Sequence, residues 1–222
     1  MTSATRLRRS LALILIGWGA AAAGLAPSAS LGQEVAASVS ATPEMKPGEA
    51  LLSRCDGCHF TDGGGPRSGD TPAIAGQHRR VLLKEMSDFR YGKRWVTSMR
   101  RVTDPHALSL QDLMDVAQFA SKLPWRTTQV RGDGSELARG AEVYGSRCAG
   151  CHGRSATGSD EAAVPRLAGQ NYRYLLRQMY DAVDEQRANL PRNHIDLLKS
   201  FNRAEFVGVA DYLSRLDAEP NL

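Results

Sequence analysis

Cysteine is scarce in this chain: four residues among 222, and all four fall in two short runs. No cysteine is therefore left for a disulfide framework or for a labile metal ligand elsewhere. Beyond residue 32 there is no second apolar stretch long enough to cross a membrane. An excess of charge is also missing, because the same part of the chain carries 25 basic and 24 acidic side chains. This near balance removes the argument for a nucleic-acid partner that a whole-chain pI of about 9.0 would suggest.

The two cysteine runs are Cys55-Asp56-Gly57-Cys58-His59 and Cys148-Ala149-Gly150-Cys151-His152. Cys-x-x-Cys-His is the attachment sequence of c-type haem, in which both sulfurs bind the porphyrin covalently and the histidine binds the iron. Two intervening residues on a helical turn let both sulfurs reach one porphyrin edge, and the next residue lies under the ring. We therefore predict two haem c groups. The attachment residues are Cys55, Cys58, Cys148 and Cys151, and the proximal iron ligands are His59 and His152.

One such run alone would also fit a redox dithiol or half of a zinc site. Zinc sites of this kind have two Cys-x-x-Cys pairs about 15 to 20 residues apart. Here the pairs lie 93 residues apart, and each has its own histidine. A thioredoxin-like dithiol has no use for that histidine, so the duplication favours haem over both alternatives.

The N-terminus has the order of a secretory signal peptide. Three arginines among the first nine residues precede the uncharged run from Leu11 to Ala26, and small residues follow. We expect residues 1–32 to be removed on export, and the mature protein to be soluble or loosely associated with a membrane surface. The alternative is an uncleaved anchor, although the apolar run is shorter than the roughly 20 residues that a spanning helix needs. Residues 33–45 are small and polar, which predicts a flexible arm.

From Lys46 the chain repeats itself at an offset of 93 residues. Besides the cysteine motifs, Pro72 matches Pro165, and the Ala-Gly-Gln run at 75–77 matches the run at 168–170. A period this long indicates two copies of one small domain, which we predict at 46–123 and 134–222 with a linker at 124–133. Apolar residues at helical spacing and N-cap sequences at Ser109 and Asn202 predict that both copies are all-α.

Methionine is the expected source of the sixth ligand to the first iron. Met99 follows His59 by 40 residues, among arginines, in a segment expected to be irregular. An apolar side chain in such surroundings needs a partner, and iron is the best one available. Met86 and Met114 lie on predicted amphipathic helices and are interpreted as core. The sequence therefore predicts Met99 as the ligand opposite His59.

The second copy lacks the equivalent methionine. The position that matches Met99 is Arg192, which cannot bind iron, and no methionine follows Met179. His194, which is expected to lie in a loop, stands two residues beyond the matching position, so we predict that His152 and His194 bind the second iron together. Coordination by Met179 and an open iron are the alternatives.

The prolines Pro72 and Pro165 either supply carbonyls that orient the two proximal histidines or only stiffen their loops.

Two Cys-x-x-Cys-His domains of roughly 90 residues, each followed by a Pro-x-x-Ala-Gly-Gln run, resemble the dihaem cytochrome c4 family over nearly all of residues 46–217. The resemblance implies two class I cytochrome c domains, each wrapped around a covalent haem with His and Met axial ligands. It also implies a protein that carries electrons in the periplasm to terminal oxidases. Arg192 departs from the family pattern and leaves the sixth ligand of the second iron in doubt.

Methionine opposite histidine raises the haem potential relative to stronger donors. The second haem is therefore expected at the lower potential, and electrons are expected to leave from the first.

The leading hypothesis is a periplasmic electron carrier with no catalytic residues, whose partners are redox proteins such as a terminal oxidase or a periplasmic dehydrogenase. One alternative is a cytochrome subunit of such a dehydrogenase. Another is a dihaem enzyme, a peroxidase or a sulfur-compound oxidase, with an open second haem. The many basic residues between His59 and Met99 either steer an acidic partner or are solvated helix faces.

Overall fold

The computed structural model describes residues 42–127 and 130–217. The predicted signal peptide at 1–32 and most of the predicted arm at 33–45 lie outside the described residues. Within the described ranges the chain is helical and has no strand, with one isolated β-bridge between Ser159 and Val164. In the same ranges no helix has the length and apolar character needed to span a bilayer. The all-α prediction is confirmed.

Five helices form the first domain. They are α1 (Met45–Leu52), α2 (Asp56–His59), α3 (Arg79–Arg90), α4 (Thr97–Val102) and α5 (Leu110–Lys122), with a 3₁₀ turn at Ser53–Cys55. Helix α1 packs across α5, α3 packs on the same helix, and α4 packs on α3. The core between them contains Leu83, Leu113, Met114 and Ala117, and Met86 packs against it. Met86 and Met114 are thus core residues, as predicted.

The second domain repeats this arrangement. Its helices are α6 (Leu137–Val143), α7 (Ala149–His152), α8 (Tyr172–Val183), α9 (Arg192–Lys199) and α10 (Arg203–Arg215). Helix α6 packs across α10, α8 packs on the same helix, and α9 packs on α8. Met179 is partly buried against the core clusters of this domain. Its place in the packing supports the interpretation of Met179 as core.

The last helix of each domain begins with a capping box. Ser109 Oγ accepts from the backbone N–H of Asp112, whose carboxylate accepts in return from the Ser109 N–H. Asn202 and Glu205 make the same exchange at the start of α10. Each box satisfies two backbone donors that the first turn of a helix leaves without partners. Both predicted N-caps are confirmed.

The helix crossing in each domain is close enough to require glycine. A Cβ at Gly48 would overlap the carbonyl of Asp115, and one at Gly140 would overlap the carbonyl of Gly208. Gly48 precedes the first cysteine of its motif by seven residues, whereas Gly140 precedes Cys148 by eight. A π turn at Tyr144–Cys148 accommodates the extra residue. The two motifs therefore start from equivalent crossings despite the insertion.

Candidate haem sites

Both Cys-x-x-Cys-His motifs form a short helix that ends at the histidine. The next residue adopts a left-handed backbone, with φ of 61° at Phe60 and 77° at Gly153, so the chain reverses direction there. The histidine carbonyls accept from loop amides at equivalent positions, His59 from Gly65 at 2.9 Å and His152 from Gly158 at 3.0 Å. The reversal brings the following loop back alongside each imidazole.

Each proximal histidine is bonded to a proline carbonyl of that loop. The Nδ1 atom of His59 lies 3.0 Å from the Pro72 oxygen, and Nδ1 of His152 lies 3.3 Å from the Pro165 oxygen. A carbonyl can only accept, so Nδ1 carries the proton and Nε2 is left as the nitrogen available to a metal. Of the two roles left open for the prolines, the structure shows that of carbonyl acceptor.

Burial favours the neutral form of both imidazoles. Burial lowers the pKa of His59, although the bond to Pro72 acts in the opposite direction. The pKa of His152 is lowered mainly by burial and also by the neighbouring His194. Neutral imidazole is the form that binds a metal, so both rings are ready to act as ligands at neutral pH.

The four cysteines are unpaired thiols in this structure. Cys58 and Cys151 are exposed, while Cys55 and Cys148 are half-buried. Burial raises the pKa of Cys55 and of Cys148 to about 11 in each case. In the parts of the chain that the structure describes, no three His, Cys, Asp or Glu side chains gather into a group able to hold a metal ion.

His194 lies opposite His152. Their ring centroids are 6.2 Å apart and their planes are tilted by 42°. An imidazole nitrogen binds a metal at about 2 Å and lies about 1 Å from its ring centre, so two histidines on one iron have centroids about 6 Å apart. Burial, and then the charge of Arg187, lower the pKa of His194. The donor set and its spacing therefore fit a bis-histidine haem.

The structure corrects the expected surroundings of both predicted sixth ligands. Met99 was expected in an irregular segment, but it is half-buried on helix α4, whose last turn is closed by bonds from Thr103 to the Met99 carbonyl. His194 was expected in a loop, but it lies in the first turn of α9, after its N-cap residue Pro191. Helices of six and eight residues contain only about two turns, which is too short for the spacing of apolar residues to reveal them in the sequence.

Sequence reasoning missed the role of the two glutamines. The Gln77 side chain bonds both backbone groups of Arg166 in the other domain, at 2.9 Å to its N–H and 3.0 Å to its carbonyl. Gln170 does the same to Ala73, at 2.9 Å for both bonds. The two glutamines and the two recipients are each related by the 93-residue offset. The repeated Ala-Gly-Gln run was the available signal, and the structure shows that its glutamine joins the domains.

An ion cluster occupies another part of the same boundary. Glu85 of α3 pairs with Arg94 at 2.5 Å and with Arg187 at 3.1 Å, and Asn189 donates to its carboxylate. Arg94 also bonds Gln178 of α8. Burial would raise the pKa of Glu85, but Arg187 and Arg94 outweigh it and hold the pKa at about 2. Arg94 and Arg187 are repeat-equivalent, as are Glu85 and Gln178, so the cluster follows the same internal symmetry.

Only part of the predicted basic field faces solvent. Arg94 is buried in the ion cluster, and Arg90 donates to the carbonyls of Thr103 and Leu108. Lys93 and Arg101 are exposed.

These two cations flank an exposed apolar surface. Trp95 is 62% exposed, Val96 is 38% exposed, and the guanidinium of Arg100 stacks 4.0 Å from the Trp95 ring centre. We call residues 93–101 the tryptophan surface; it includes Met99.

The cytochrome c family model matches residues 137–217. Cytochrome c4 of Pseudomonas aeruginosa is 36% identical over 148 residues, which cover 64% of this chain and 72% of the relative. A thiosulfate dehydrogenase electron acceptor of Stutzerimonas stutzeri is 31% identical over 175 residues, or 73% of this chain and 78% of the relative.

Among solved structures, reduced recombinant cytochrome c4 from Pseudomonas stutzeri matches with a TM-score of 0.71 and 26% identity, over 79% of this chain and 100% of that one. The fold similarity therefore extends across both helical domains. Together with the sequence relatives, it shows that the chain belongs to the cytochrome c4 family of electron-carrying c-type cytochromes.

Proposed function

We propose that this chain is a periplasmic electron carrier with two covalent haems and no substrate of its own. The observation that carries the proposal is that both motifs present a neutral imidazole bonded to a proline carbonyl, at positions related by the repeat. The attachment residues are Cys55, Cys58, Cys148 and Cys151, as the motif spacing predicts. Export through the N-terminal segment supplies the compartment.

The two haems differ in their sixth ligand. His59 and Met99 hold the first, and His152 and His194 hold the second; the 6.2 Å spacing of the histidine rings supports the latter pair. Haem c, when bound, supplies an iron that gains and loses one electron. A second imidazole is a stronger donor than a thioether, so the second domain has the lower potential. That order favours transfer from the second domain to the first.

The tryptophan surface is the proposed docking site of a redox partner. An exposed aromatic ring beside the segment that carries Met99 offers apolar contact close to the first haem. Lys93, Arg100 and Arg101 give this surface a positive charge, although the exposed Asp104 borders it. Complementary charge speeds association and sets orientation. The partner is therefore an acidic redox protein, such as a terminal oxidase or a dehydrogenase.

The decisive experiment is expression in a host that attaches c-type haem, followed by mass and optical spectra of the purified protein. We expect a mass that equals the mature polypeptide plus two haems, a methionine-to-iron charge-transfer band of one-haem intensity, and two waves in a redox titration. A colourless protein would refute the haem assignment. A single wave, with a band of two-haem intensity, would refute bis-histidine ligation.

A second candidate function is the electron-accepting subunit of a periplasmic dehydrogenase, which the similarity to a thiosulfate dehydrogenase electron acceptor favours. Purification of the native complex separates it from a free carrier, because a subunit would co-purify with its dehydrogenase. A dihaem enzyme with an open second iron is distinguished by carbon monoxide. The reduced enzyme would bind it, whereas a carrier whose two irons are both six-coordinate would resist it.

A further inference from the structure

The two interdomain glutamines contact the same peptide groups that hold the proximal histidines. The carbonyl of Pro72 accepts from His59, and the N–H of the same peptide unit, that of Ala73, donates to Oε1 of Gln170 at 2.9 Å. In the other domain the Pro165 carbonyl accepts from His152, and the N–H of Arg166 donates to Oε1 of Gln77 at 2.9 Å. Each glutamine therefore lies behind the histidine of the opposite domain.

A trans peptide unit is planar, with its C=O and N–H pointing in opposite directions. A glutamine that fixes the N–H also fixes the direction of the carbonyl on the other side. Bonds in series polarise one another by roughly 10–30% each, so an acceptor on the N–H makes the carbonyl a stronger acceptor for the imidazole. A stronger bond at Nδ1 raises the basicity of the ligand and orients its ring.

Both glutamine side chains are held in place for this contact. Gln77 and Gln170 are buried, with 7% and 3% of their surface exposed. Their Oε1 atoms also accept from the backbone N–H of the next residue, His78 and Asn171, each at 2.9 Å. This local bond orients the side chain within its own domain. The N–H from the other domain then occupies the second lone pair of Oε1.

We propose that Gln170 is a positioning residue for the haem of the first domain, and Gln77 for the haem of the second. The tuning of each iron thus depends on a side chain from the opposite domain. This inference rests on the proposed histidine ligation of the two haems. Without the glutamine bond, the proximal imidazole becomes a weaker donor and the potential of that haem rises.

The test is a redox titration of the holoprotein and its Gln170→Met and Gln77→Met variants, with the waves assigned by the methionine-to-iron band of the first haem. We expect Gln170→Met to raise only the first domain's potential and Gln77→Met only the second's. The expected change in the oxidation equilibrium is roughly three- to tenfold, where tenfold corresponds to about 59 mV for one electron.

Each variant is the control for the other, because both remove the same kind of interdomain contact. Gln170→Glu and Gln77→Glu keep an acceptor for the N–H and make it a charged, stronger one. They are expected to lower the potential of the opposite haem, so they test the proposal if a methionine variant fails to fold, and an unchanged potential would then contradict it. Three results would overturn the proposal and leave the carrier function intact: equal shifts in the potentials of both haems, a shift only in the haem of the domain that contains the glutamine, or no shift in either potential. A wild-type protein without haem would instead overturn the proposed function, and this inference with it.

Discussion

Replacement of Glu85 by glutamine tests whether the interdomain ion cluster stabilises the protein. Glutamine keeps the shape of the side chain and its ability to bond Asn189, but removes the charge that Arg94 and Arg187 share. Both arginines are largely buried, with 7% and 15% of their side chains exposed, so neither can be fully hydrated instead. The loss is therefore expected to appear as reduced stability.

The magnitude follows from the pKa of Glu85, which falls from 4.5 to about 2 in the folded protein. One pKa unit is worth about 1.4 kcal/mol, so the charged cluster contributes about 3 kcal/mol. A depressed folded-state pKa stabilises the protein fully above the unfolded value. The contribution should therefore be complete above about pH 4.5 and disappear as the pH falls towards 2.

The assay is urea unfolding of the holoprotein and the variant at a series of pH values. At pH 6 we expect the variant to be about 3 kcal/mol less stable. The gap should close below pH 4.5, where the Glu85 carboxyl takes up its proton in the unfolded wild-type chain but remains ionised in the folded protein down to about pH 2. Glu49→Gln, on the exposed face of α1, is the control and should leave stability nearly unchanged. A gap below about 1 kcal/mol at pH 6, or one that does not shrink towards pH 3, would refute the reasoning.

Three further predictions concern the site and the fold. His194→Ala should open the second iron, so that the reduced variant binds carbon monoxide at one iron per molecule. The control is His106→Ala, which replaces an exposed histidine and should not permit this binding. If the His194→Ala variant bound no carbon monoxide, His194 would not be a ligand. Gly140→Ala should cost about 1–3 kcal/mol in urea unfolding, because its Cβ would overlap the carbonyl of Gly208; unchanged stability would mean that the crossing is looser than described. Asn202→Ala should lower the free energy of unfolding by about 1 kcal/mol, because α10 loses its cap. The same urea experiment measures it, and an unchanged free energy of unfolding at neutral pH would contradict the capping role.

Local patterns in the sequence were enough to predict the helical fold and the caps. Ser109 and Asn202 are recognisable because a cap and its acidic partner are separated by a fixed three residues. The need of a metal-binding histidine for a nearby acceptor made the carbonyls of Pro72 and Pro165 one of two candidate roles, and only the structure decided between them.

Contacts between the domains were not predictable in this way. Gln77 and Arg166 are 89 residues apart in the chain, and Glu85 and Arg187 are 102 apart. No local rule pairs residues at such separations, although the 93-residue offset marks the positions that could be equivalent. The repeat indicates two domains but gives no information on how one is placed against the other.

The exchange between the two glutamines gives this single chain the geometry of a two-subunit dimer whose halves are fused. Each half carries both a glutamine and the peptide group that such a glutamine recognises, so one half offers a surface that is complementary to a copy of itself. The covalent connection replaces an association step and fixes the pair at one-to-one stoichiometry. It also lets the halves diverge, so that the second half carries Arg192 where its twin has Met99 while the glutamine contacts stay the same.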